Sequence, residues 1–340
     1  MHKARAVMAA NHGLLTRSQA LDSGLSPAYI SSYIRSGELV ILRRGVYADG
    51  ELWRSLDVHR GQHRLRTRAA ILAMRRSWVA SHDSAAHELG LDILLPPDPH
   101  VHITRPGFTA AWTERGVKHH LARYLDEQVV HVDGLPALDL ARTAVDIARE
   151  HGTPYGEVAC DSAMRKGVSK ADLVAACAPM VSWPHVVRTR AAVEFARPET
   201  GSVAETLGRL MVEELGIDAP IEIQFPVRRP DGRVAWLDIL LGCHAFEVDG
   251  KAKYVPIEQG GLSHRPTEEV VWEEKRRERD LHRVGIGTSR VVFEDFWGAR
   301  RRTALQRMRE EYDDTARRFG ISLPERLLRE ARELRGRRSA

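Results

Sequence analysis

The sequence lacks the features of a secreted or membrane-spanning protein. It contains only three cysteines among 340 residues: Cys160, Cys177 and Cys243. Because they are odd in number and widely separated, they exclude a disulfide framework and a paired-cysteine metal site. No run approaches the roughly 20 apolar residues that cross a bilayer, and residues 1–13 lack the apolar stretch of a signal peptide. We therefore expect a cytoplasmic protein.

Acidic residues nearly balance basic ones over most of the chain, and positive charge is concentrated at the two ends. The formal net charge is +5. Residues 298–340 hold 13 Arg and 7 acidic residues, and residues 1–50 hold 6 basic and 3 acidic residues. Contacts with a polyanion are therefore expected at the ends. For the C-terminal end, a solvated arginine-rich helix remains the alternative.

The first fifty residues predict helices followed by a β-hairpin. Thr16 and Gln19 have the spacing of a capping box, which predicts the start of a short helix. Ser26 is expected to cap a second helix with Pro27 at its first position, where a missing N–H is tolerated. Gly37 is expected to end that helix. This order is typical of a helix-turn-helix.

The second of these helices has one apolar and one polar face. Ile30 and Ile34 are four residues apart and should pack inward. The opposite face is then small, polar and basic, and it carries Ser31, Ser32 and Arg35. Because such a helix inserts into the major groove of DNA, we predict that these three residues contact DNA.

The segment LVILRRGVYA predicts two short strands joined at Arg43 and Arg44, as in a wing with a basic tip that reaches phosphate. From NHGLLTRSQA to LRRGVYA, the sequence resembles the N-terminal domain of AbiEi-type antitoxins of type IV toxin–antitoxin systems. The resemblance implies a DNA-binding autorepressor and, as a possible partner, a cognate nucleotidyltransferase toxin. A winged helix that binds another protein and not DNA is the alternative.

The middle of the chain shows ordered structure but little chemistry. We expect a helix that begins after Ser81 and is stopped by Pro96 and Pro97, and a strand at PHVHIT. This region resembles the central part of AbiEi-like proteins, which implies no catalytic residues. A zinc site is conceivable, but the sequence has no HExxH or Cys/His spacing, so we expect structural histidines. They are His82, His87, His100, His102, His119, His120 and His131.

From residue 202 onward the pattern reads helix, three strands, helix, strand. Asp238 and Glu247 interrupt two otherwise apolar strands. If Gly242 and Cys243 form the turn between these strands, Asp238 lies directly opposite Glu247. Two buried carboxylates repel each other unless one is protonated or a cation lies between them. We therefore predict a metal site.

Other residues should converge on the same place. Strand periodicity puts Asp249 on the face of Glu247, together with Lys251 if the strand continues past Gly250. Glu205, on the preceding helix, could complete an oxygen ligand set. Oxygen ligands select Mg²⁺ or Mn²⁺, which would polarise a phosphodiester and activate water, while a lysine stabilises developing charge.

The segments WLDILLGCHAFEVDGKAKY and EEKRRERDL resemble the very-short-patch-repair-like endonucleases of the PD-(D/E)XK superfamily. The resemblance implies that Asp238, Glu247 and Glu205 bind metal. One position departs from the family pattern: Asp249 stands where a lysine is expected. Lys251, Lys253 or Lys275 must then supply the lysine, or the domain is inactive.

These patterns predict an α/β chain, α+β overall, with four segments. They are a winged helix-turn-helix at 1–51, an AbiEi-like mixed α/β middle domain at 52–197, a PD-(D/E)XK restriction-endonuclease-like domain at 198–298 and a basic helical tail at 299–340. Two functions remain open. The protein is either a metal-dependent DNA endonuclease recruited by its winged helix, or an AbiEi-like repressor whose nuclease fold is inactive.

Overall fold

The structure is a computed structural model that describes residues 2–74, 76–108, 110–249 and 267–339. The chain divides into two compact units, residues 1–196 and 197–340. Helices and sheets occur in both units, so the mixed α/β class is confirmed.

Residues 2–49 form three helices and a small antiparallel sheet. In chain order they are α1 (His2–Ala10), β1 (Leu14–Thr16), α2 (Arg17–Asp22), α3 (Pro27–Arg35), β2 (Leu39–Arg43) and β3 (Val46–Asp49). The strand order is β1-β3-β2. The predicted helix pair and hairpin are confirmed, and β1 is an additional strand that the sequence patterns did not reveal.

The local sequence explains why α2 and α3 begin where they do. Thr16 accepts the N–H of Gln19, and the Gln19 side chain accepts the N–H of Thr16, so the predicted capping box is present. Ser26 caps α3 by accepting the N–H of Tyr29. Ile30 is buried in a core shared with α1 and the sheet. This core fixes which face of α3 remains outside.

The remainder of the first unit continues the chain with helices and a six-stranded sheet. Its elements are α4 (Gly50–Ser55), α5 (Gly61–Leu72), β4 (Val79–Ala80), α6 (His82–Leu89), β5 (Val101–Arg105), β6 (Ala110–Glu114), β7 (Val117–Leu121), β8 (Val129–Val132), β9 (Leu135–Leu138), α7 (Leu140–His151), α8 (Tyr155–Arg165), α9 (Lys170–Cys177) and α10 (Val186–Phe195). The strand order is β6-β7-β5-β4-β9-β8.

The expected helix after Ser81 is shorter than predicted. Helix α6 ends at Leu89, and Gly90 follows it with φ of 73°, which is the left-handed conformation that closes a helix. The helix therefore stops at this glycine and does not extend to Pro96. Strand β5 confirms the strand predicted from PHVHIT.

The second unit has the predicted order of helix, three strands, helix, strand. The elements are α11 (Val203–Glu214), β10 (Ile221–Arg228), β11 (Val234–Leu241), β12 (His244–Asp249), α12 (Thr267–Arg283) and β13 (Gly287–Val292). The sheet order is β10-β11-β12-β13. The first three strands are antiparallel, and β13 pairs parallel to β12 after the crossover through α12.

The predicted tail forms two helices that belong to the same unit as this sheet. They are α13 (Gly298–Phe319) and α14 (Glu325–Ser339). Leu327 and Ala331 of α14 are buried in a core with Phe225 of β10. The basic segment is therefore amphipathic, with one face buried, and is not a wholly solvated helix. Among the described residues, no helix combines the length and apolar character needed to cross a membrane.

Candidate nucleic-acid interface and carboxylate site

Helix α3 presents the predicted polar face to solvent. Ser31, Ser32 and Arg35 are exposed, while Ile30 on the opposite side is 1% exposed. Tyr29 on the same helix is 61% exposed, and the sequence analysis did not select it. The serines and the arginine give α3 hydrogen-bond donors, and the tyrosine ring adds an apolar surface. Side chains of both kinds recognise the edges of bases in the major groove.

The hairpin of β2 and β3 places its two arginines in different environments. Arg43 pairs with Val46, so Arg44 and Gly45 form the turn, and Gly45 takes φ of 77°. Arg44 is exposed and Arg43 is partly buried. Burial lowers the pKa of Arg43 below its ordinary value, as does the nearby Arg115 guanidinium. The more accessible cation of the tip is therefore Arg44.

In the second unit, β11 and β12 meet in the predicted register near their turn. Ile239 pairs with Phe246, and Leu241 pairs with His244. One step further along, the Asp238 side chain contacts β12, because its Oδ2 accepts the N–H of Val248 at 2.9 Å. The carboxylate thus satisfies a main-chain donor of the neighbouring strand.

Asp238 and Glu205 are connected through the amide of Gln224. The Nε2 atom of Gln224 lies 3.3 Å from Oδ1 of Asp238 and 3.0 Å from Oε2 of Glu205. Gln224 has φ of 50°, an unusual conformation for a residue within a strand. Glu205 also accepts the N–H of Gly201 and the hydroxyl of Ser202 at the start of α11. Two predicted ligands are therefore brought together, with an amide between them.

Glu247 and Asp249 each have an arginine partner. Arg277 of α12 donates to Oε1 of Glu247 at 2.9 Å and to the carbonyl oxygen of Trp236 at 2.6 Å. Arg290 of β13 lies 3.3 Å from Asp249. An arginine partner is a further way to relieve repulsion between carboxylates, besides protonation or a metal ion. Guanidinium groups lie beside Glu247 and Asp249, and a main-chain N–H lies beside Asp238.

The predicted ligands do not form a compact cluster within the part of the chain that the structure describes. The groups there whose ligand atoms all lie within 4.8 Å of one another are elsewhere, and neither includes Glu205, Asp238 or Glu247. Of the candidate lysines, Lys251 and Lys253 lie outside the described residues, and Lys275 is exposed on α12. Carboxylate oxygens are the donors that a hard cation such as Mg²⁺ prefers.

The partners of these carboxylates are distant in sequence, so no local pattern indicates the contacts. Gln224 and Arg277 are 14 and 30 residues from the carboxylates that they contact. Arg277 belongs to a run of alternating charges in which nothing distinguishes it from Arg276. For Gln224 a signal existed, since it is a polar residue within the apolar strand IEIQFPV.

The N-terminal geometry is of the helix-turn-helix class. Residues 3–48 match the family model described as transcriptional regulator, AbiEi antitoxin. The matched residues include α2, α3 and most of the hairpin. The chain matches no curated protein.

Proposed function

We propose that this protein is a DNA-binding transcriptional regulator of the AbiEi antitoxin type. The observation that carries the proposal is the exposed face of α3, which lies within the matched residues 3–48. In a helix-turn-helix, this second helix enters the major groove and the adjacent hairpin reaches the phosphate backbone. Ser31, Ser32 and Arg35 would contact bases, and Arg43 and Arg44 would contact phosphates.

The test is the affinity of the full chain for DNA taken from upstream of its own gene. Fluorescence anisotropy should give tighter binding to that DNA than to a shuffled sequence of the same length and composition. Specific sites are typically bound about 10³-fold or more tightly than non-specific DNA at physiological salt. Equal affinity for both sequences, or no binding, would instead support a helix-turn-helix that binds another protein.

We also propose a partner for the regulator, a nucleotidyltransferase toxin encoded beside it. This proposal rests on the likeness of residues 3–48 to antitoxins. Co-expression of the neighbouring nucleotidyltransferase with this chain should restore growth that the nucleotidyltransferase alone arrests. If the helix-turn-helix acts only as an autorepressor, Arg35→Ala should relieve repression of a reporter without loss of protection.

A second candidate function is metal-dependent cleavage of DNA by the second unit. It is favoured by the amide of Gln224, which contacts both Glu205 and Asp238. In this proposal Glu205, Asp238 and Glu247 would bind Mg²⁺ or Mn²⁺, and Asp249 and Lys251 would complete the site. The metal would supply an activated water and stabilise charge on the phosphate.

Purified protein should be incubated with supercoiled, linear and single-stranded DNA in the presence of Mg²⁺, Mn²⁺ or EDTA. Cleavage that requires metal and is lost in Asp238→Asn would support the nuclease. Cleavage that persists in Asp238→Asn would come from a contaminant or another site. Specific DNA binding without any cleavage would leave the regulator as the function and the second unit as a scaffold.

A further inference from the structure

The first unit contains a cluster of histidines around one buried aspartate. Asp83, in the first turn of α6, is 2% exposed. His102 on β5 is also 2% exposed, and His151 ends α7. Three separate elements thus deliver one carboxylate and two imidazoles to the same place. The proposed regulatory function makes no use of this cluster.

The distances between these groups are those of ligands around a single ion. The Nε2 atom of His151 lies 3.0 Å from Oδ2 of Asp83, and the Nε2 atom of His102 lies 3.8 Å from the same oxygen. All three ligand atoms lie within 4.8 Å of one another. For zinc–ligand bonds of about 2.0–2.1 Å, tetrahedral geometry separates neighbouring ligand atoms by about 3.4 Å. The observed distances bracket this value.

The two imidazole rings also converge on the carboxylate from different directions. The rings of His102 and His151 are 6.0 Å apart with an interplanar angle of 68°. Nitrogen lone pairs on rings at such an angle can point to a common centre, whereas those on parallel stacked rings cannot. We propose that Asp83, His102 and His151 bind a divalent transition-metal ion, with Zn²⁺ as the reference ion.

The second nitrogen of His102 supports this assignment. Its Nδ1 lies 3.0 Å from Nε2 of His120. If Nδ1–H donates to His120, then Nε2 keeps its lone pair toward Asp83. Metal-binding histidines characteristically donate their other ring N–H to a neighbour, which fixes the tautomer and the ring orientation. A histidine binds a metal ion in its neutral form, so this tautomer leaves Nε2 free to act as the ligand atom.

His82, His102 and His120 form a second group with closely spaced ligand atoms, but its geometry is less suitable. The rings of His82 and His120 stack at 4.0 Å with an interplanar angle of 19°. Arg149 lies 3.4 Å from Nε2 of His82, and Ser81 Oγ lies 3.0 Å from its Nδ1. A cation bound there would face the Arg149 guanidinium and would have no carboxylate ligand.

The donor set defines the class of ion. Two imidazoles and a carboxylate suit Zn²⁺, Fe²⁺ or Co²⁺ and do not suit Mg²⁺, which prefers oxygen ligands. Three protein ligands leave a fourth position of a tetrahedral ion for water. The His151 side chain is 15% exposed, which gives an ion a route from solvent. Binding would displace the proton that His151 shares with Asp83.

The test measures metal binding by the untagged full chain after removal of metals with EDTA. Zn²⁺ should bind at about one equivalent per chain and raise the melting temperature, because a ligand of the native state stabilises it by mass action. Co²⁺ should give the visible absorption of a tetrahedral site, whereas Mg²⁺ should produce neither signal. Absence of both the cobalt absorption and the zinc-induced shift in the wild type would overturn the proposal.

Variants identify the ligands. Asp83→Asn and His151→Gln should each weaken zinc binding by at least about 100-fold. Loss of a residue that only hydrogen-bonds to a ligand typically weakens metal binding by about 10- to 100-fold. His151→Gln is the variant to trust if Asp83→Asn fails to fold, since His151 is partly exposed. His131→Gln, at an exposed histidine of β8, is the control and should bind like the wild type. Binding retained in His151→Gln but lost in His82→Gln would assign the other group and overturn this one.

Discussion

Arg277 donates a 2.9 Å hydrogen bond to Glu247, so a guanidinium lies beside one of the carboxylates of the predicted metal site. The same nitrogen also reaches the carbonyl oxygen of Trp236 on β11. Glu247 is 14% exposed, and a carboxylate in that environment is stabilised by a charge-assisted hydrogen bond. Arg277 therefore connects α12 to β11 and β12, the two central strands of the four-stranded sheet in the second unit.

Removing Arg277 should destabilise the second unit. Arg277→Met should lower the free energy of unfolding by about 1–3 kcal/mol, because it removes hydrogen bonds to a charged group and to a main-chain carbonyl. Urea denaturation of the full chain, followed by circular dichroism, measures the change. The double variant with Glu247→Gln should recover part of the loss, because the two residues interact directly. Strict additivity of the two single changes would show that the ion pair makes no net contribution.

Asp238→Asn should destabilise the protein without metal. Carboxylate repulsion considered by itself would predict the opposite, because asparagine would relieve it. In the structure, both oxygens of Asp238 accept hydrogen bonds, from Val248 and Gln224. Asparagine retains only one acceptor oxygen and sets an amide against that of Gln224, so we expect a loss of about 1–2 kcal/mol. Thermal unfolding in EDTA measures it. The additional change Gln224→Ala should reduce this loss if the amide contact is its cause.

The sequence predicts helices and strands well where interactions between residues close in sequence determine them. The capping box of Thr16 and Gln19 and the cap at Ser26 involve residues three positions apart, and both are present. The order of elements in the second unit followed from apolar runs of strand length and an amphipathic helix. By contrast, β4 comprises two residues, Val79 and Ala80, whose extended conformation is decided by pairing with β5 and β9. No local pattern indicates such a strand.

The chemistry of the sites was predicted less completely, for a related reason. The sequence identified Asp238 and Glu247 but not the partners that stabilise them, which come from other elements. The histidines of the first unit are dense in the sequence, yet their spacing matches no metal motif. Asp83 and His151 are 68 residues apart and meet only because α6 packs against α7. Motif spacing detects sites on one element, whereas this cluster depends on the tertiary fold.

The hairpin arginines should control the salt dependence of DNA binding. Arg43→Ala with Arg44→Ala should weaken binding similarly for all sequences and reduce the slope of log K against log salt by about 0.9 for each lost phosphate contact. Because Arg44 is exposed and Arg43 is partly buried, Arg44→Ala alone should account for the larger share. Anisotropy titrations at salt concentrations between about 50 and 200 mM measure the slope. Arg123→Ala, at an exposed position outside the two basic ends of the chain, is the control and should leave the salt dependence unchanged.

Arg35 should determine sequence preference, since it is exposed on the face of α3 that would enter the major groove. Arg35→Ala should reduce discrimination between the specific and the shuffled DNA by about 1–3 kcal/mol, the contribution of one good base contact. The two affinities, measured in parallel at one salt concentration, give this difference. A uniform loss on both DNAs would reassign Arg35 to a phosphate contact and leave base recognition to Ser31, Ser32 or Tyr29.

His244 should make the stability of the second unit depend on pH. Its ring nitrogens lie 2.7 Å from Oγ1 of Thr315 and 2.6 Å from Oγ of Ser289. Burial lowers the pKa of His244 to about 4, and the positive charge of His282 acts in the same direction. Ser289 in turn donates to the carboxylate of Glu311 on α13, while His282 belongs to α12. The folded protein therefore keeps this imidazole neutral under conditions in which the unfolded chain protonates it.

The sign of the pH effect follows from these two pKa values. Above the pKa of about 6.5 that His244 has in the unfolded chain, the ring is neutral in both states. As the pH falls from that value toward the pKa of about 4 in the folded protein, only the unfolded chain takes up the proton, so the folded state loses stability. Between pH 7 and 5 the wild type should thus lose about 2 kcal/mol more stability than His244→Gln, because groups that titrate in both proteins cancel in the comparison. Urea denaturation at the two pH values measures the difference, and His131→Gln should retain the wild-type dependence because that histidine is exposed. The imidazole resonance of His244 should not titrate above pH 5 in NMR spectra of the folded chain. Equal pH dependence in the wild type and His244→Gln would mean that this ring takes up a proton in the folded state as readily as in the unfolded chain.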